Sequence, residues 1–388
     1  MIIQIDGGGS VNKGAELMLV AVLQEIKRKV PQASLIINDT TSKEELIKSE
    51  FGENFRFMIR KSLAKLIPKF RLVGISRLFS KSLSYSLLGK KAKKGVIALF
   101  DIGGFQFGDQ WGHNEESNSI LRYYLTSLKK KDTYIIFLPQ AFGPFENKQS
   151  LVLRDILLNN SDLLFARDRI SYDYLLDGKE NTSFRNVHLF PDFTVLVKGK
   201  ESKYSERAKG KVCIIPNSKI FEKGTLTEDD YISSLIQLIG HIKQKGEDAF
   251  LLNHEGEGDC NLCLKIANRL NFHIDIITGL NALETKGVIG ASLFVISSRF
   301  HGVANALNSK VPCLATSWSH KYQMLLDEYL QGDCLIKLDD MNACYSMVDN
   351  MLDRTINKSI REQLASKVQQ LSKQVYEMWD LVWETVNQ

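Results

Sequence analysis

Arg299 and His301 stand on either side of Phe300 in "SSRFHGVANALN", directly behind the apolar run "LFVISS". A guanidinium that is always charged and an imidazole that carries a proton near neutral pH together supply charge neutralisation and a general acid. The apolar run predicts a buried strand and "GVANALN" a helix. Both side chains then fall at a helix N-terminus, where backbone N–H groups and the helix dipole favour an anion. Downstream, "SWSHKYQ" adds His320 and Lys321 behind the next strand. The same residues also read as an internally bonded turn that binds nothing.

Other strand ends carry unusual residues. "DGGGSVNKGAE" holds Gly9 and Asn12 at a predicted helix start. It lacks the third glycine of a dinucleotide fingerprint and the Gly-Lys-Ser/Thr of a P-loop, so it reads as an N–H-rich turn for an anionic or hydroxyl-bearing ligand, or as a plain turn. "FDIGGFQFGDQWGH" combines Asp109, Trp111 and His113; aromatic faces beside a carboxylate suit a sugar ring, and equally a structural loop. "ARDRIS" puts Arg167 and Arg169 where a strand yields to a helix. One of them is a candidate fork for carboxylate or phosphate, the alternative being a salt-bridged helix start with Asp168 at its N-terminus. His254, in "LLNHEGEGD", is a solvated loop residue or a site residue. Cys260 and Cys263 form a lone C-x-x-C with no second pair, which reads as two helix cysteines and no metal site.

These side chains need elements to position them. The chain has 388 residues, 44% hydrophobic and 24% charged, the make-up of a globular protein with more than one core. No run is apolar for long enough to span a bilayer, "MIIQIDGGG" has no basic region ahead of it, and six scattered cysteines make no disulfide framework. A cytoplasmic location is expected. Short apolar strands alternating with helical stretches predict an α/β fold of two doubly wound, Rossmann-like domains facing a cleft. Residues 1–200 form the first, the polar stretch Lys198–Lys211 reads as a linker, and residues 211–355 form the second. Residues 356–388 follow as an amphipathic helix whose apolar repeat (Leu364, Val368, Leu371, Val375, Met378, Val382, Val386) packs across a domain surface.

The net charge of +5 conceals a local asymmetry. Between Asn54 and Phe100 there are twelve Lys or Arg and no Asp or Glu. Lys and Arg interleaved with Phe, Leu and Ile over about residues 54–95 make an interfacial helix on an anionic membrane, or a covering helix with a basic face. No nucleic-acid reader motif accompanies it.

In order, "GGGSVNKGAELM", "GGFQFGD", "LPQAFGPF", "ARDRISYDYL", "PDFTV", "SSRFHGVANAL" and "SHKYQMLLDE" resemble the polysaccharide pyruvyl transferase family from Ile5 to about Leu330. Phe300 and Pro139 depart from the family pattern. The resemblance implies a fold like that of B-type glycosyltransferases. It also implies transfer of pyruvate from phosphoenolpyruvate to two hydroxyls of one sugar as a cyclic ketal, with release of phosphate and without metal or redox cofactor. Arg167 and Arg299 would then clamp the donor, with Phe300 and Lys321 beside it, and His301 would protonate its C3. Gly9, Asn12, Asp109 and His254 would orient the acceptor. That acceptor would be a polyprenyl-diphosphate-linked saccharide of bacterial cell-surface polysaccharide synthesis, met at the inner face of the plasma membrane. Two other readings stay open: a B-type glycosyltransferase using a nucleotide sugar, and a non-catalytic, membrane-docked assembly protein. Oligomeric state is open.

Overall fold

A computed structural model describes residues 1–8, 12–38, 44–57, 95–176, 184–223, 226–316 and 320–387. The chain divides into two compact units: unit 1 is Met1–Val11, Ala15–Leu196 and Lys373–Gln388, and unit 2 is Asn12–Gly14 and Val197–Ser372.

Unit 1 runs β1 (Ile2–Asp6), α1 (Lys13–Lys29), β2 (Ser34–Ile37), α2 (Glu44–Glu50), β3 (Phe55–Phe57), β4 (Val96–Asp101) and β5 (Phe105–Phe107). It continues with α3 (Glu115–Lys129), β6 (Tyr134–Phe142), α4 (Lys148–Asn160), β7 (Leu163–Ala166), α5 (Arg169–Leu176) and β8 (Val187–Leu189). The strands are parallel, in the order β3-β2-β1-β4-β6-β7-β8, with β5 attached to β6. The central strands are apolar along nearly their whole length because helices cover both faces. Helix starts are set by local side-chain chemistry. Asn114 caps α3 in a capping box with Ser117, and the Asn147 side chain accepts from the second and third amides of α4.

Unit 2 runs α6 (Lys203–Ala208), β9 (Val212–Ile215), α7 (Ile220–Lys223), α8 (Glu228–Gln244), β10 (Ala249–Leu252), α9 (Gly256–Arg269), β11 (Asp275–Ile277) and α10 (Ala282–Ala291). Then come β12 (Val295–Ser297), α11 (Phe300–Asn308), β13 (Cys313–Thr316), α12 (His320–Glu328), β14 (Leu335–Ile336), α13 (Met341–Leu352) and α14 (Arg354–Val386). Its strands are parallel in the order β11-β10-β9-β12-β13-β14. Taken by position within the unit, this is the 3-2-1-4-5-6 order of a Rossmann domain, whose chain reverses direction across the sheet between its first and fourth strands. In unit 2 that switch point lies between β9 and β12. The corresponding point of unit 1 lies between β1 and β4.

Three expectations change. Lys198–Lys211 is no plain linker: Lys200 donates its N–H to Leu283 O, Ser202 caps α6 in a capping box with Ser205, and α6 packs on α10. The start of the basic segment, Phe55–Phe57, is an edge strand, whereas residues 58–94 of the expected amphipathic insertion lie outside the described residues. The C-terminal helix starts at Arg354 and is a single 33-residue helix.

All seven apolar positions of its repeat are buried. Residues up to Ser372 count with unit 2 and the rest with unit 1. In unit 1, Trp379 packs on Phe100 of β4, on Phe193 and on Trp383. The Trp383 indole N–H donates to buried Glu25 at 2.8 Å. Removing a buried Trp costs about 3–5 kcal/mol. Trp379→Ala should therefore lower unit 1 stability by about that amount, read as an earlier midpoint in urea unfolding; an unchanged midpoint would show that the helix end contributes nothing to the core.

Candidate active site

The switch point of unit 2 is organised by one buried carboxylate. Asp259, in the first turn of α9, is 0% exposed and accepts four hydrogen bonds. Two come from Ser218, through its N–H and its hydroxyl. Two come from Arg299, through Nε at 2.8 Å and Nη2 at 2.7 Å. The Arg299 Nη1 reaches Glu255 at 2.5 Å. Burial works against the charge on this guanidinium, but Asp259 and Glu255 outweigh it and raise the pKa above its ordinary value. Arg299 is thus a permanent cation held by two carboxylates. Its charge is balanced by these carboxylates, and two of its nitrogens are engaged by Asp259.

That pairing fixes the entry to α11. No side chain caps this helix, and Arg299 stands at its N-cap position. The backbone beneath is braced by buried hydroxyls. Tyr231 OH bonds Ser298 Oγ, Ser298 Oγ bonds Thr316 Oγ1, and Tyr322 OH donates to Ser298 O at 2.8 Å. Asn217 donates its side-chain amide to the same carbonyl at 2.8 Å. Phe300 stands edge-on to Tyr322 and to His301; it backs the histidine and presents no polar group.

His301 lies directly against Gly14, the second residue of α1. A Cβ at Gly14 would run into its Nε2, Cδ2 and Cε1 atoms. Asn12 caps α1 by accepting the Gly14 N–H at 2.7 Å, so its oxygen has a structural task, and Asn12–Gly14 count with unit 2. His254 also belongs to unit 2, at the end of β10. It is 2% exposed, and neither ring nitrogen has a hydrogen-bond partner. Burial, followed by the charges of His301, Arg299 and Lys13, holds it neutral, with its pKa well below the usual histidine value. A buried polar atom without a partner costs about 1–3 kcal/mol, so this imidazole is expensive where it stands. Lys321, half-buried, is the second residue of α12; nothing is described of the His320 side chain.

Arg167 and Asp109 lie in unit 1. Arg167 is 3.9 Å from Asp192. Asp168 caps α5 through the Ser171 N–H, and Arg169 pairs with Asp173, so "ARDRIS" is a capped, salt-bridged helix start. Burial would raise the Asp109 pKa, but bonds from Ser150 and from the Glu146 and Asn147 amides outweigh it and lower it. Its carboxylate accepts from the Glu146 N–H at 3.0 Å and from the Asn147 side chain, tying two loops together. The loop does present Trp111, 52% exposed and edge-on to Phe105. Gly9 lies outside the described residues.

The switch point of unit 1 holds residues that sequence reasoning missed. Asp6 and Asp101 end β1 and β4, paired in register and both buried. Asp6 accepts from Gln4 at 3.0 Å and from Tyr124 OH at 2.6 Å. Asp101 accepts from the Gly103 N–H, Gln106 and Gln140, all within 2.9–3.0 Å. Burial raises Asp101 to about 7, Asp6's charge adding to it, despite the hydrogen bonds from Gln140, Gly103 and Gln106. The Gln140 Oε1 is buried without a partner. The signal was present: "QIDGG" and "LFDIGG" each place an Asp just before paired glycines at a strand end. The turns then close tightly, since a Cβ at Gly7 would strike the Gly103 backbone.

A folded-state pKa near 7, against 3.8 for the ordinary carboxyl, means the folded protein holds more protons between those values. This group's contribution to stability therefore falls as pH rises through that window and is level above it. Asp101→Asn should raise the melting temperature at pH 8 and lose that advantage toward pH 4. An equal effect at both pH values would exclude a proton on Asp101.

The whole chain also finds relatives. By fold it is similar to UDP-GlcNAc 2-epimerase from Neisseria meningitidis bound to UDP-GlcNAc (10% identity, TM-score 0.62, covering 99% of each chain). It is similar likewise to UDP-GlcNAc 2-epimerase from Methanocaldococcus jannaschii (11%, 0.61, 92% of this chain and 94% of that one). A glycosyltransferase from Rickettsia africae matches as well (12%, 0.59, 100% and 98%). At such identities the likeness establishes the fold, a pair of Rossmann-like domains of the B-type glycosyltransferase kind. Residues 12–320 match the family described as polysaccharide pyruvyl transferase, most of the chain, and the protein belongs to that family.

Proposed function

We propose that the protein transfers pyruvate from phosphoenolpyruvate to two hydroxyls of a saccharide, forming a cyclic ketal and releasing phosphate. The observation that carries this reading is the placement of His301 at the uncapped start of α11, with Lys13 and Lys321 in the same unit. Amide N–H groups and cations attract a compact anion there, and an imidazolium beside it can donate a proton. Protonation of the donor's C3 makes C2 electrophilic, and one sugar hydroxyl adds to C2 as its proton returns to His301. The second hydroxyl then displaces phosphate as the C2–O bond to it breaks, its proton leaving with the phosphate, whose developing charge the helix start and Lys321 steady. Arg299 acts through position: it holds the α11 entry against Asp259 and leaves the anion to its neighbours. The saccharide belongs to unit 1, where Trp111 and Phe105 offer aromatic faces. A lipid-linked acceptor, met at a membrane surface through residues 54–95, is part of the same proposal; among the described residues no helix is long and apolar enough to cross a membrane.

A second reading, transfer from a nucleotide sugar, is favoured by the solved structures of similar fold, one of which is bound to UDP-GlcNAc. Incubation with phosphoenolpyruvate and a lipid-linked glycan separates the two. Pyruvyl transfer predicts phosphate release and a glycan heavier by one pyruvate ketal; turnover of a UDP-sugar with neither product would establish the rival.

Gly14→Ala tests the proton donor without deleting it. The added methyl meets only a side chain that can swing away, and Ala favours a helix over Gly by about 1 kcal/mol. The variant should fold as well as the wild type and release phosphate about 10²–10⁴-fold more slowly, the usual contribution of a positioned acid. Full activity in this variant would exclude His301 from the chemistry.

A further inference from the structure

His254 has no task in the scheme above, yet the structure keeps it buried and without partners beside charged groups. The residue that follows it, Glu255, takes Arg299 Nη1 at 2.5 Å, and Asp259 of the next helical turn takes the rest of the fork. His301 lies on Gly14, next to Lys13. Lys13 from α1 and Arg299 and His301 from the α11 entry act on His254. Glu255, its neighbour in the chain, and Asp259 already neutralise Arg299 in this cluster. A dianion or trianion entering it would bring an uncompensated negative charge into a partly dry site, which is unfavourable unless protons come with it.

We propose that His254 is a second proton site of the unit 2 anion pocket, taking one proton from solvent onto a ring nitrogen when a phosphate- or carboxylate-bearing anion binds beside His301. Burial, followed by the nearby cations, keeps this imidazole neutral, and a bound anion would offset the cations. The new N–H also gives the buried ring a partner, either the anion or a water that it orders. Bond bookkeeping is simple: one N–H bond forms, solvent or buffer loses one proton, and nothing is oxidised or reduced. His254 is in this view a positioning and charge-matching residue, and His301 remains the group that delivers a proton to the donor. The inference rests on the anion site of the proposed function and adds a stoichiometry to it.

The test is calorimetric binding of phosphoenolpyruvate and, separately, of inorganic phosphate to the full chain near neutral pH, in buffers of different ionisation enthalpy. The wild type should take up about one more proton per bound anion than His254→Gln. Imidazole ¹⁵N spectra of the wild type check this without any variant. Among seven histidines, one should stay neutral in mildly acidic buffer where exposed histidines are charged, and become cationic when phosphate is added. Equal proton uptake by wild type and variant, or no ring that responds this way, overturns the inference while phosphoenolpyruvate binding leaves the catalytic reading standing. His254-dependent uptake with phosphate, but no turnover of phosphoenolpyruvate, keeps the site and sinks the reaction. Failure of both anions to bind overturns both.

Discussion

The switch point of unit 2 depends on satisfying one fully buried carboxylate, that of Asp259. A buried carboxylate is tolerated only when paired and fully hydrogen-bonded, and Asp259 meets that demand with four donors from two segments. Meeting it draws the loop after β9, the start of α9 and the entry to α11 onto one point. The orientation of α11 follows, and with it the position of His301 against Gly14. The hydroxyl chain through Tyr231, Ser298 and Thr316 locks the strand ends beneath. Each of these bonds is modest by itself; together they leave the α11 entry one geometry.

The two switch points share a topology and differ in charge. Unit 1 closes its crossing with Asp6 and Asp101, which accept from amide and phenol donors. Two carboxylates this close repel, and burial resolves the conflict by favouring a proton on Asp101. Unit 2 closes its crossing with Arg299 and brings Lys13, His254 and His301 nearby. An anion is disfavoured at the first and has partners at the second, while neutral hydroxyls suit an acidic edge. One fold used twice in the same chain thus closes its two crossings with different charges. That difference is consistent with the proposal of an anionic donor on unit 2 and a polyhydroxylated acceptor on unit 1.

Much of the scaffold was legible because parallel strands buried on both faces leave continuous apolar runs, and the helices between them repeat with helical period. "MIIQID", "VCIIPN" and "CLAT" all became strands. Short edge strands such as Leu335–Ile336 and Phe55–Phe57 were not legible, since two or three residues carry no periodicity. The candidate site was half legible. Arg299, His301 and His254 stood out by type and position, but their states depend on partners distant in sequence. Asp259 lay in "EGEGD", a stretch that reads as solvated acid until Arg299 is seen folded onto it. His254 is one residue from Glu255, and only the three-dimensional burial separates the two. Asp109 misled for the opposite reason: its neighbours are aromatic, but its oxygens face the Glu146–Asn147 backbone.

The commitment of Arg299 changes how the site must be interrogated. Alanine there would leave Asp259 buried and without its cation, and breaking a buried pair in this way typically costs about 3–5 kcal/mol. Loss of activity in such a variant would report a displaced α11 as readily as a lost substrate contact. His301 is different, because its ring lies against Gly14. The chemical question therefore belongs to His301 and Gly14, and the architectural one to Arg299 and Asp259. A residue type that announces anion binding in the sequence is, in the folded chain, engaged by Asp259 and Glu255 and fixes the entry to α11.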